Sequence, residues 1–163
     1  MRKIPPATAE NVYARFIEFE ERAAAIYFRF ASHFSANPQR SSFWFDMAME
    51  EKHHAGLLQF CVCDSLFAPD LPKDVAIGKV AALFERIEQL AESPNLTVEG
   101  AFALAIEIES SEVNTIYALL TTPLHDSMYL SRRKIVTSAR SHLDELIAAA
   151  SKFGVEARSG SGA

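Results

Sequence analysis

Cysteine is almost missing from this 163-residue chain, occurring only as Cys61 and Cys63. Two positions apart on a helix, such a pair points to different sides and does not readily close a disulfide. A disulfide framework and a four-cysteine metal site are both excluded. Glycine (6) and proline (7) are sparse too, so the chain has few natural breaks. Basic clusters are lacking: none exceeds Arg132-Arg133-Lys134, and 16 basic residues face 21 acidic ones for a net charge of −5. Phosphates repel an acidic protein, which argues against a nucleic-acid partner. No apolar run is long enough for a membrane span, since the longest, 56–67, is interrupted by Gln59, Asp64 and Ser65. The opening Met1-Arg-Lys-Ile-Pro-Pro6 offers no apolar stretch of the kind a signal peptide needs. The expectation is a soluble protein of a reducing, cytoplasmic setting.

What the chain does have is apolar mass. Hydrophobic residues make up 49 %, with 12 Phe and 4 Tyr, enough to bury a core. The length fits one domain, which commonly holds about 100–200 residues. We expect that domain over 1–157, with a flexible tail at 158–163. Breakers at Asn37-Pro38, Pro69 to Pro72, Ser93-Pro94, Thr122-Pro123 and Gly154 divide the rest into stretches much longer than a strand. Roughly 8–35 carries Tyr13, Phe16, Glu20, Ala23, Tyr27, Phe30 and Phe34 at helical steps. Roughly 41–67 repeats the pattern with Trp44, Met47, Glu51, His54, Leu58 and Cys61, starting at a Ser41-Ser42 cap. A shorter helix at about 74–92 has an apolar stripe without polar interruption. Two more are expected at about 98–121, capped by Thr97, and about 123–152, with Thr122 as cap and Pro123 at its first position. Strand-type alternation is absent. The spacing predicts an all-α chain: a four-helix bundle with a short extra helix in the crossover between long helices 2 and 3.

Each long helix carries an ionisable residue in the middle of its apolar stripe. Glu20, Glu51 with His54, Glu109 and His142 fall where Leu would be expected. An unpaired buried carboxylate costs several kcal/mol, and carboxylates without a buried Lys or Arg repel one another. A multivalent cation resolves that conflict. Glu51-Lys-His-His54 is a Glu-x-x-His motif, with both ligand types one turn apart on one helix face. Glu20 precedes Glu51 by 31 residues, and Glu109 precedes Ala139 by 30. The chain therefore looks like one helical hairpin used twice, with Ala139 where a second Glu would stand before His142. Glu50 and His53 repeat Glu-x-x-His one position back, off the stripe, and read as surface residues, as do Glu18, Glu21 and Glu107.

Over about residues 8–152 the chain resembles the ferritin-like, rubrerythrin-type di-iron carboxylate family. Phe19-Glu20-Glu21-Arg-Ala-Ala-Ala-Ile-Tyr27 and Ala48-Met-Glu-Glu51-Lys-His-His54-Ala55 carry the resemblance. It implies metal ligands at Glu20, Glu51, His54, Glu109 and His142, a further one at Glu112, and an inward Tyr27 hydrogen-bonded near the site. It also implies an iron cofactor (di-iron or mono-iron, with manganese or zinc as alternatives), reduction of oxygen or peroxide, and a homodimer. Two departures stand out. Ala139 removes a carboxylate that normally bridges the metals, and the Cys-rich rubredoxin module is missing, so electrons would come from an external donor. The competing reading is a degenerate bundle with partial or no metal, serving dimerisation or partner binding.

Overall fold

Four helices in this protein start at side chains that accept the free backbone N–H groups of the first turn. The structure is a computed structural model describing residues 8–126 and 138–155, with side chains described for 8–124 and 142–155. Thr8 accepts from the Asn11 amide at 3.3 Å and opens α1 (Ala9–His33). Asn37 accepts from the Arg40 amide at 3.1 Å and opens α2 (Pro38–Cys63). α3 spans Asp74–Ala91, and Thr97 opens α4 (Val98–Glu109) by accepting from Gly100 at 3.0 Å. α5 (Glu112–Leu120), α6 (Thr122–Asp126) and α7 (Ser138–Lys152) complete an all-helical chain, with no strand among the described residues. Among the described residues no helix is long and apolar enough to cross a membrane. The expected tail at 158–163 and the middle of the expected last helix, 127–137, lie outside the described residues, as does the side chain of Ala139.

Three boundaries depart from expectation. α2 begins at Asn37-Pro38, because Asn37 caps and Pro38 has no N–H to leave unpaired. Ser41 therefore does not cap; its hydroxyl donates to the Ala31 carbonyl at 2.8 Å and ties α2 to α1. Thr122 is itself the first residue of α6, and its hydroxyl donates back to the Ala118 carbonyl at 3.1 Å. The helix expected over 98–121 is interrupted at Ser110-Ser111. Both serine hydroxyls donate to carbonyls of the preceding turn, at Ile106 and Ile108, and Ser111 then caps α5. Serine competes with the backbone for those carbonyls, and two in succession end the helix.

α1 and α2 run antiparallel. At one end the Tyr13 hydroxyl accepts from the Ala68 amide at 2.9 Å and donates to the Leu120 carbonyl at 2.6 Å, joining the start of α1 to the ends of α2 and α5. At the other end Trp44, fully buried, lies 5.0 Å from Phe30 and 4.8 Å from Phe102, ring centre to ring centre. Phe153, just past α7, lies 6.2 Å from Phe102 near the start of α4, so α4 and α7 are antiparallel as well. α3 lies over the outer face of α1, with Phe84 stacked 5.5 Å from Phe19 and Arg22 bidentate on Glu88. The helices thus enclose one apolar core, and the polar interruptions of their apolar stripes meet inside it.

Candidate metal centre

The five ionisable residues of the apolar stripes converge. Glu20 from α1, Glu51 and His54 from α2, Glu109 at the end of α4 and His142 from α7 are each at most 5 % exposed. Glu51 sits at the centre. Its Oε2 is 3.0 Å from His54 Nδ1, and its Oε1 is 3.2 Å from His142 Nδ1. Behind each imidazole stands a second carboxylate, Glu20 at 3.6 Å from His54 Nδ1 and Glu109 at 3.6 Å from His142 Nδ1. The two rings are 5.1 Å apart and nearly parallel, at 26°. Each half of the cluster therefore has one imidazole, one outer carboxylate and one oxygen of Glu51.

The ring of supporting contacts is uneven. Tyr27 donates to Glu109 Oε1 at 2.6 Å, as the inward tyrosine was expected to do near the site. Asn114 donates to Glu109 Oε2 at 2.8 Å and to the Glu109 carbonyl at 2.7 Å. His142 Nε2 is hydrogen-bonded to Glu50. Tyr117 packs its ring 4.4 Å from His54, with its hydroxyl buried and unpaired. Several atoms aimed into the cluster also lack a hydrogen bond: Glu20 Oε1, Glu51 Oε1 and His142 Nδ1. Buried polar atoms are nearly always paired in folded proteins, and orphaned oxygen and nitrogen atoms facing one another suit a cation. Glu51, His54 and His142 bring ligand atoms within 4.8 Å of one another and can hold a metal ion.

Proton affinities in the cluster are strongly shifted. Burial drives the Glu20 carboxyl well above its ordinary range, helped by the neighbouring Glu51 charge. Burial acts on Glu51 in the same direction, but the close approach of the His142 ring and the hydrogen bond from His54 outweigh it and hold Glu51 below the usual carboxylate range. Burial alone would lower His54, yet hydrogen bonds to Glu20 and Glu51 raise it to about 10. The same contest at His142, won by Glu109, Glu50 and Glu51, raises it to about 12. Tyr27 is pushed up by burial and by the Glu109 charge. At neutral pH the metal-free cluster is an anionic Glu51 flanked by two imidazolium ions, with the Glu20 carboxyl shifted by burial towards its protonated form.

Glu112 lies apart from the cluster. It is exposed on the surface, with its carboxylate 4.0 Å from Lys79 Nζ. The Ser110-Ser111 break separates it from the helix that ends at Glu109, so the one-turn relation to Glu109 is lost. Glu50 is the opposite case: it reaches the buried ring of His142 rather than serving the surface alone. His53 is exposed as expected, and Glu18, Glu21 and Glu107 engage surface cations. Asn114 was missed as well. Five residues after Glu109, it would sit off that face of a continuous helix, and only the break brings it back. No local signal marks Glu50, whose partner is 92 residues away. Compared with protein-family models, curated proteins and solved structures, the chain finds no match.

Proposed function

We propose that this chain is a non-haem iron protein of rubrerythrin type, built as a ferritin-like four-helix bundle. In this reading Glu51 is the bridging carboxylate, Glu20 and Glu109 are terminal ligands, and His54 and His142 are the nitrogen ligands. The observation that carries it is the symmetry about Glu51, each of whose oxygens faces a different imidazole Nδ1, at 3.0 and 3.2 Å, with a further carboxylate behind each. Mixed carboxylate and imidazole donors suit iron or manganese, with zinc as a third candidate.

Bound there, iron would supply one-electron chemistry towards oxygen or peroxide. The chain's own residues set the stage for it. Glu51, with one oxygen towards each half of the site, would lend its negative charge to both. Tyr27 and Asn114 hold the two oxygens of Glu109 and limit its swing. The aromatic packing around Trp44 and Phe102 keeps one end of the core dry. Electrons would come from an external donor protein, and two free cysteines agree with a reducing cytoplasmic setting.

A second reading has one observation in its favour. Glu51 is already compensated by two imidazolium ions, so a degenerate, metal-free bundle that dimerises or binds a partner is electrostatically self-consistent. Anaerobic loading with Fe(II), removal of free metal and measurement of iron per chain separate the two. Retained iron that is oxidised by peroxide and re-reduced by an added donor supports the first. A chain that leaves the column without iron supports the second.

A further inference from the structure

The ring of His142 has two nitrogens in different surroundings. Nε2 is hydrogen-bonded to Glu50, whereas Nδ1 faces Glu51 Oε1 at 3.2 Å and Glu109 Oε2 at 3.6 Å with no hydrogen bond of its own. His142 is fully buried, but the Glu50 side chain is 45 % exposed. Glu50 also lines an open groove with Asp46, Met49 and Glu145. Its charge is thus kept solvated at the surface while its hydrogen bond reaches inside. An ionised carboxylate can only accept, so Nε2 keeps its proton, and when the imidazolium gives up its other proton the lone pair of the ring is left on Nδ1.

We infer that Glu50 is a positioning residue for the metal centre, fixing the tautomer and orientation of His142 so that Nδ1 serves as the ligand. The inference rests on the metal reading above. A carboxylate on the outer nitrogen of a metal-bound histidine holds the ring and raises its basicity. The effect falls on the half of the site made by Glu109 and His142, the half whose helix carries Ala139 three residues before the histidine. Glu50 thus brings a negative charge to that half through the imidazole rather than by touching metal.

The test uses cobalt(II) titrations against a competing chelator and a spectrum of the zinc(II)-loaded protein. Glu50→Gln keeps size but removes charge, and should weaken cobalt binding by about 10–100-fold. Asp46→Asn, which alters the same groove, should bind as the parent does. In the zinc-loaded parent, nitrogen-15 NMR should show His142 bound through Nδ1 with an exchange-protected proton on Nε2. Equal cobalt affinity in the parent and a folded Glu50→Gln overturns the inference, and so does a zinc spectrum with His142 bound through Nε2. The zinc spectrum needs no variant at Glu50, so it decides even if Glu50→Gln fails to fold. A parent that binds neither metal overturns the metal reading and this inference together, whereas metal binding with Nε2 as ligand overturns this inference alone.

Discussion

Raising the pH should tighten metal binding steeply, because the metal-free cluster holds protons where a metal would sit. At pH 7 His54 with a pKa of about 10 and His142 at about 12 are charged, and burial shifts the Glu20 carboxyl towards its protonated form. A metal ligand must be in its basic form, so each imidazolium gives up one proton on binding. Loss of about two protons makes the binding constant rise about a hundredfold per pH unit, or about 2.7 kcal/mol at 1.36 kcal/mol per unit and proton. The metal-free fold moves the opposite way. Raised values at Glu20, His54 and His142 mean that the native state binds more protons than the unfolded chain above pH ~6.5. Stability is therefore lost as pH rises from there towards 10. Glu51, held low, contributes stability above its ordinary value that is lost on acidification. Cobalt(II) calorimetry in buffers of different ionisation enthalpy counts the released protons directly, and melting curves from pH 6 to 8 should show a metal-dependent gain that widens with pH. Binding enthalpies independent of the buffer, or affinity that falls as pH rises, would refute the proton assignment.

Three further outcomes are expected. Glu51→Ala should abolish the rise in melting temperature that metal gives the parent, whereas Glu112→Gln should keep it, because Glu112 lies at the surface beside Lys79; scanning calorimetry with and without metal compares them. Gly154 closes α7 at φ +75°, with Val155 donating to the Ala150 carbonyl at 2.8 Å, so Gly154→Ala should cost about 1 kcal/mol in urea unfolding. Ala139→Glu recreates a second Glu-x-x-His by spacing and should raise iron per chain after identical anaerobic loading, and no increase would mean that this position does not reach the metals.

Much of the site was written in one-dimensional spacing. Glu20, Glu51, His54, Glu109 and His142 could be picked out because each interrupts an apolar stripe, and helical period turns such an interruption into a buried position whatever the partner helix is. Helix type followed from the same period, and the caps at Thr97 and Gly154 from the chemistry of helix ends. Tertiary structure alone decided which residues surround that set. The Ser110-Ser111 break depends on hydroxyls competing for carbonyls, a contest whose winner local sequence does not announce; it sends Glu112 to Lys79 and brings Asn114 onto Glu109. Glu50 belongs to the site because α7 passes it 92 residues later, and a contact between distant helices leaves no periodic trace in either one. The division of roles around Glu51 is half local and half three-dimensional: His54 comes from the same helix one turn on, whereas only the approach of α7 gives the second carboxylate oxygen an imidazole, His142.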